Sequence, residues 1–260
     1  MKIFIITQND NQYLPAAIAR VCKEFQEEIS CIVSLPAMSS KDGKIRGLLQ
    51  KIGLFGLKAS FTFGYRVLKT KALDLFTHSG PSGPFYSIKG VANAFNIPFY
   101  EVEKISSPEF HGLIDRYPPD LLVAQSCPQI LGKKILDRFP LGAINVHGAP
   151  LPRYRGMMPS FWVLRNGETR TASTVHDLAA KLDNGDILAQ REVSITKDDT
   201  WDSLVTKTKT AGAEALIEAI NQIKAGTVKR KPNPEEDATY FTFPTYKDRK
   251  AFLALGKHFF

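Results

Sequence analysis

The chain opens with an apolar run, an amphipathic repeat and a second apolar run, and this order limits the possible folds more than any other feature. The first run spans residues 2–7 and the second spans residues 29–35. Two later runs, at 121–124 and 143–146, have the same character. Between the first two runs, apolar residues recur at helical spacing: Leu14, Ala17, Ile18, Val21 and Phe25. The pattern predicts an α/β fold, a Rossmann-like open and mostly parallel sheet flanked by helices.

The second half of the chain continues this alternation. Apolar residues between 130 and 139 predict a helix, and residues 171–176 and 188–193 predict two further strands. Thr200 is expected to cap a long helix that ends near Gly226, because threonine favours the first position of a helix and glycine follows the last. After position 237, Tyr240 and Thr242 alternate with Phe241 and Phe243, which predicts one short strand.

Composition excludes several classes of protein. With 43% hydrophobic and 23% charged residues over 260 positions, the chain is expected to bury a core that folds without disulfide bonds or structural metal ions. The three cysteines are scattered and none lies in a Cys-x-x-Cys pair, which argues against a disulfide framework and a structural zinc site. No metal is therefore expected. The N-terminal apolar run is too short for a signal peptide, and no stretch is long enough to span a membrane. A cytoplasmic location is the expectation.

Positive charge is concentrated in one segment. Residues 41–72 hold eight basic residues and one acidic residue, out of a net charge of +8 for the chain. The charge fits either an anionic partner or an ordinary solvated helix face. The surrounding insertion, 39–84, is rich in aromatic residues and glycine, and 58–76 can form an amphipathic helix. This helix is interpreted as packing on the sheet, as a lid over the substrate, or as contacting a membrane surface through 53–76, the last being less favoured.

The strongest chemical signal lies at the end of the run 143–146. Asn145 and His147 are two positions apart, so in a strand their side chains share one face. The prolines and glycine that follow turn the chain away, and open α/β sheets bind ligands at such strand ends. Asp183 lies in a turn-rich segment 36 residues later. A carboxamide, an imidazole and a carboxylate are the groups needed to move protons while a carbonyl oxygen becomes negative.

These residues stand in two motifs with a recognisable spacing. The first reads Asn-Val-His-Gly-Ala-Pro-Leu-Pro-Arg-Tyr-Arg-Gly from 145 to 156, and the second reads Leu-Asp-Asn-Gly-Asp-Ile from 182 to 187. Together they resemble the signature of the folate-dependent formyltransferases, among which the chain is most like the sugar N-formyltransferases. The resemblance implies a catalytic domain at 1–226, with the insertion 39–84, and a short C-terminal extension at 227–260.

The resemblance also implies an activity and a set of site residues. It implies formyl transfer from 10-formyltetrahydrofolate to a primary amine, without a covalent enzyme intermediate. The folate is expected to bind at one loop and at one wall of the site, and the acceptor near a Tyr-Arg pair. In the family the bond before the second motif proline, here Leu151–Pro152, tends to be cis, and Ala149-Pro150 replaces the usual Ser-Leu. By role, the residues are Asn145, His147 and Asp183 for catalysis; Gln129, Ile130, Leu131, Ala179 and Asp183 for folate; and Tyr154 and Arg155 for the acceptor.

The acceptor is identified by comparing family members. The segment after the first strand lacks the glycine-containing phosphate loop of the glycinamide ribonucleotide enzymes, and the C-terminal extension is too short for the barrel domain of methionyl-tRNA enzymes. An anionic small molecule that bears an amine, best a nucleotide-linked amino sugar for polysaccharide biosynthesis, is therefore expected, and nucleic acid is not. Methionyl-tRNA formyl transfer, formyltetrahydrofolate hydrolysis and a non-catalytic basic binding module stay open as alternatives, as does a homodimer.

Overall fold

A seven-stranded, mostly parallel sheet forms the centre of the molecule. The computed structural model describes residues 1–37, 44–77, 80–179 and 181–260. The spatial order of the strands is β3-β2-β1-β4-β5-β7-β8. The five strands from β3 to β5 run parallel, whereas β7 is antiparallel to both of its neighbours. The sheet strands are β1 (Ile3–Gln8), β2 (Ile29–Leu35), β3 (Phe99–Glu101), β4 (Leu121–Gln125), β5 (Ala143–His147), β7 (Arg170–Asp177) and β8 (Ile187–Ser194).

Helices cover both faces of this sheet, which confirms the predicted Rossmann-like architecture. Alternate residues of β1 enter different cores, as the strand repeat requires: Ile3 and Ile5 face one side, and Phe4 and Ile6 face the other. The helices are α1 (Leu14–Phe25), α2 (Lys44–Phe76), α3 (Ile88–Ala94), α4 (Pro108–Arg116), α5 (Lys133–Leu136), α6 (Pro159–Arg165), α7 (Trp201–Lys224) and α8 (Tyr246–Ala254). A small second sheet pairs β6 (Arg155–Gly156) with β9 (Tyr240–Phe241).

Most predicted elements are confirmed, and the helix predicted over 130–139 is wrong in its extent. Only Lys133–Leu136 is helical, because Gly132 at its N-cap is extended and the residues before it follow Pro128. The long helix α7 begins after Thr200, which forms a reciprocal capping box with Ser203. Gly226 follows its end with a φ of 67°.

Helix α2 is interrupted at Gly56, whose φ of 76° breaks it into two helical pieces. Its inner side packs on a third core made largely of aromatic rings, where the ring of Phe55 lies 5.1 Å from Trp201 and 4.9 Å from Phe259. Its outer side carries apolar residues that are largely exposed, so the interpretation of 58–76 as a buried helix on the sheet is wrong. Within the described residues, no helix is both long and apolar enough to cross a bilayer. Residues 38–43, which include the start of the insertion 39–84 and of the basic segment 41–72, lie outside the described residues, as do residues 78–79 of the insertion.

Candidate active site

The site is built where β5 and β7 lie side by side as antiparallel strands. Asn145 and His176 are direct cross-strand partners in this register. The two side chains meet on the same face, with Asn145 Nδ2 3.1 Å from His176 Nε2. The predicted catalytic asparagine is therefore held by a histidine from the neighbouring strand.

The hydrogen bonds of His176 define its protonation state. Its Nδ1 lies 2.8 Å from the carbonyl oxygen of Asp177, which can only accept, so Nδ1 carries the proton. Burial lowers the pKa of His176 to about 4, because the cation loses its hydration, and the nearby carboxylate of Asp183 only partly offsets this. The ring is neutral at physiological pH. Its Nε2 is therefore an acceptor for one N–H of the Asn145 amide, which leaves the other amide N–H free to face a substrate.

His147 is buried at the end of β5 and is oriented by its second nitrogen. Its Nε2 lies 2.8 Å from the carbonyl oxygen of Tyr154, so this nitrogen is the donor. Its Nδ1 lies 3.6 Å from Asp183 Oδ2. In this tautomer Nδ1 carries the lone pair, so it can accept a proton, and the carboxylate is placed to stabilise the resulting imidazolium.

Asp183 lies between the two imidazoles. Its Oδ1 is 3.6 Å from His176 Nε2, and its Oδ2 accepts a hydrogen bond of 2.9 Å from the backbone N–H of Gly156. Its carbonyl oxygen accepts from Asn233 Nδ2 at 2.9 Å, and its own φ is 50°. The buried carboxylate is thus fixed from both its side chain and its backbone. The structure brings the three predicted catalytic residues together, with His176 joining Asn145 to Asp183.

Two glycines allow this close packing. A Cβ added to Gly156, whose φ is 99°, would lie 2.2 Å from the carbonyl oxygen of Phe241. A Cβ added to Gly185 would lie 1.9 Å from the carbonyl oxygen of Asp177. Both positions require glycine because the opposing atoms belong to the backbone and cannot rotate away. Positive φ is also found in non-glycine residues around the site, at Ser126, Tyr154, Met158 and Asp183.

The Tyr-Arg pair predicted to bind the acceptor faces the protein instead. Arg155 is fully buried, and its guanidinium donates to the side-chain and backbone oxygens of Asn233 and contacts Glu235 at 2.6 Å. The ring of Tyr154 stacks on Phe241, and its hydroxyl donates to Glu168. Neither side chain is presented to an acceptor in this structure. Their contacts fix the two residues that precede the Gly156 N–H. The Leu151–Pro152 bond is cis, as expected.

The predicted folate residues lie on two loops that meet in one hydrophobic cluster. Leu131 belongs to the core that also contains Leu178, next to Ala179. Gln129 is fixed by its own side chain, which donates to the carbonyl of Glu103 at 2.8 Å. Beside these anchored residues, Ile130 is 81% exposed and Leu182 is 56% exposed. Each loop therefore presents one bare aliphatic side chain, and Ala179 itself is exposed.

Sequence reasoning did not single out Lys209. This residue of α7 reaches the carboxyl end of β4, where its Nζ lies 2.6 Å from Ser126 Oγ. Loss of hydration lowers its pKa, and the negative charge of Asp10, just beyond β1, acts in the opposite direction. Strands β1 and β4 are adjacent at the point where the strand order reverses, which is where open α/β sheets bind ligands. A lysine amine thus stands at this crevice.

One thiol near the site also bears on its chemistry. Cys127 follows β4, and burial raises the pKa of its thiol to about 11, so it is not a thiolate at neutral pH. Among the residues that the structure describes, no group of three or more His, Cys, Asp or Glu side chains is placed to hold a metal ion.

Comparisons with known proteins identify the family of the chain. Residues 61–220 match the Formyl transferase family. The chain is 40% identical to the methionyl-tRNA formyltransferase of Acetivibrio thermocellus over 153 residues, which are 59% of this chain and 49% of that protein. The chain therefore spans about half the length of this curated relative.

Solved structures share the fold at low identity. Phosphoribosylglycinamide formyltransferase from Anaplasma phagocytophilum superposes with a TM-score of 0.60 at 18% identity, covering 93% of this chain and 97% of that one. The N-formyltransferase from Helicobacter canadensis, solved with folinic acid and dTDP-3-aminofucose, has a TM-score of 0.58 at 14% identity and covers 96% and 79% of the two chains. With more than half of its residues matched by the family, the chain belongs to the formyl transferases.

Proposed function

We propose that this protein transfers a formyl group from 10-formyltetrahydrofolate to a primary amine. The observation that carries the proposal is the buried carboxylate of Asp183, 3.6 Å from each of two imidazoles, with the Asn145 amide fixed beside them. A group of this kind can accept a proton from an attacking amine and stabilise the oxyanion that forms at the same time.

The roles of the residues follow from their hydrogen bonds. Asn145 uses one N–H on His176 and keeps the other for the oxyanion of the tetrahedral intermediate. His147 takes the amine proton at Nδ1 while Asp183 stabilises the imidazolium, and it returns a proton to the departing folate nitrogen. The bond from the formyl carbon to the amine forms, and the bond from that carbon to the folate nitrogen breaks. None of these steps uses a cysteine, in keeping with the protonated state of Cys127.

The folate would bind across the two loops that carry the exposed aliphatic side chains. The reduced folate supplies the activated formyl group and a flat ring that removes apolar surface from water. Ile130 and Leu182 would cover this ring, while anchored Gln129 and Leu131 hold the loop in place. The arrangement fits such a ligand, because the loops are held by buried contacts and yet leave apolar side chains uncovered.

The acceptor is proposed to be a nucleotide-linked amino sugar. Lys209 at the crevice between β1 and β4 provides a positive charge for a phosphate group, a role that the buried Arg155 cannot take. The similar fold of an enzyme solved with dTDP-3-aminofucose supports this choice. Methionyl-tRNA is the second candidate, and it is favoured by the 40% identity to a methionyl-tRNA formyltransferase.

One assay separates these candidates. The protein is given 10-formyltetrahydrofolate with dTDP-linked amino sugars, with methionyl-tRNA, or with no amine, and tetrahydrofolate is followed. We expect turnover with an amino sugar, reduced by about 10²–10³-fold in Asn145→Ala. The matched control Asn93→Ala removes an exposed amide from α3, far from these side chains in the sequence, and should keep most of the activity. Turnover with tRNA alone would reverse the choice of acceptor, and formate release at the same rate without amine would identify a hydrolase.

A further inference from the structure

The outer face of α2 carries a continuous apolar stripe that nothing in the described structure covers. The exposed residues fall at helical spacing, so they lie on one side of the helix. Leu57 is 80% exposed, Phe61 79%, Tyr65 61%, Leu68 69% and Leu75 76%. Phe61, Tyr65 and Leu68 also border a depression in this surface, together with Gly64. The stripe is about 27 Å long at 1.5 Å per residue.

The opposite side of the same helix is firmly attached, so this exposure does not come from a loosely placed helix. Arg66 forms an ion pair of 2.6 Å with Asp202, and Thr70 accepts a hydrogen bond of 2.7 Å from Gln12. Near the end of the helix, Asp74 accepts from the hydroxyl of Ser87 at 2.7 Å. The inner side is thus polar and well paired over its last three turns. The apolar residues point outward, which is the reverse of a helix that only covers a core.

The charges along the stripe have one sign. Lys58, Lys69 and Lys71 are exposed at its edges. The acidic residue of this helix is Asp74, and it faces inward to Ser87. An apolar stripe edged by lysines and free of outward carboxylates is the pattern of a helix that lies in the interface of an anionic bilayer.

We propose that the outer face of α2 docks the protein on an anionic lipid surface, with the stripe at the level of the acyl chains and the lysines at the headgroups. A second copy of the chain fits this face less well, because a two-fold contact would bring the same lysines together with no carboxylate between them. The proposal is independent of the proposed function.

Cosedimentation with vesicles tests the proposal. The wild-type protein is mixed with phosphatidylcholine vesicles or with vesicles that also contain phosphatidylglycerol. We expect stronger binding to the anionic vesicles and a decrease with added salt. Lys58→Gln and Lys69→Gln should each weaken binding to anionic vesicles by about fivefold, because one lysine near the surface contributes about 1 kcal/mol.

Matched variants distinguish vesicle binding through the stripe from nonspecific adsorption of exposed apolar residues. Leu68→Ser should weaken binding by about tenfold, the effect of keeping one large apolar side chain out of the membrane. Leu141→Ser removes a leucine that is 42% exposed away from α2, and it should bind as the wild type does. Both positions are exposed, so both variants should keep the wild-type melting temperature, which is checked first.

Three results would overturn the proposal. Absence of binding to anionic vesicles would do so directly. Equal losses in Leu68→Ser and Leu141→Ser would show that the stripe has no special role. A dimer in sedimentation velocity that Leu68→Ser dissociates, without vesicle binding by the wild type, would assign the face to a second copy of the chain.

Discussion

The buried neutral His176 makes the stability of the protein depend on pH in a range that can be measured. Its pKa is lowered from 6.5 to about 4 in the folded protein, with burial as the first cause. Between these values the unfolded chain binds a proton that the folded protein does not. The stabilisation is therefore complete above pH 6.5 and is lost as the pH falls toward 4.

The size of the effect follows from the shift. Each unit of pKa corresponds to 1.36 kcal/mol, so the total is about 3 kcal/mol, of which about 2 kcal/mol is lost between pH 7.5 and pH 5.0. In His176→Gln this loss should be absent, because glutamine does not ionise. Glutamine also has an oxygen to accept from Asn145 and an N–H to donate to the carbonyl of Asp177.

Urea unfolding at the two pH values gives the measurement. The free energy of unfolding should fall by about 2 kcal/mol more in the wild type than in His176→Gln. His258→Gln, which removes an exposed imidazole, serves as the matched control and should behave as the wild type does. Groups that do not interact with His176 titrate equally in all three proteins, so their contributions cancel. An equal fall in the wild type and His176→Gln would refute the assignment of His176 as a buried neutral base.

Three further changes test the remaining geometry. Gly185→Ala places a Cβ 1.9 Å from the carbonyl oxygen of Asp177 and should lower both turnover and melting temperature. The control Gly167→Ala lies at an open position, so it should lower stability through its φ of 72° and leave turnover intact; equal turnover losses in the two variants would contradict this. Arg155→Met leaves the buried oxygens of Asn233 without donors and should lower the free energy of unfolding by about 3 kcal/mol. An unchanged urea midpoint would show that the Arg155–Asn233 hydrogen bonds do not stabilise the fold. Lys209→Met should raise the acceptor KM by at least about tenfold, since a charged hydrogen bond is worth about 1.5–3 kcal/mol, with little change in folinic acid affinity. If acceptor binding and folinic acid binding weaken in parallel, Lys209 has a structural role instead.

The sequence predicts those parts of the fold that depend on local pattern. Strand β2 and helix α7 are recognisable because long periodic segments are bounded by clear caps. The helix predicted over 130–139 is longer than α5, because the exposed Ile130 is apolar and fits the same helical pattern as the buried residues. Its exposure follows from the extended backbone before Lys133, which no periodicity reveals.

The parts of the site that could not be predicted arise from contacts between distant segments. Asn145, His147 and Asp183 are visible because they stand in motifs. His176 lies in a predicted strand, but its role depends on the antiparallel register that pairs it with Asn145. Arg155 also stands in a motif, but the prediction that it binds the acceptor does not fit its position. A charged residue at a strand end is expected to be exposed, and its buried partners cannot be seen in the sequence.

The position of Asp183, the proposed catalytic carboxylate, depends on a segment that follows it by about fifty residues. Asn233 donates to the carbonyl oxygens of both Asp183 and Gly185, and it accepts from Arg155 in turn. The N–H that holds Asp183 belongs to Gly156, which is paired with β9. The proposed extension 227–260 therefore supplies part of the framework that fixes the site. Because these contacts converge on one loop, a change in this segment should affect turnover through Asp183 even though it adds no reacting group of its own.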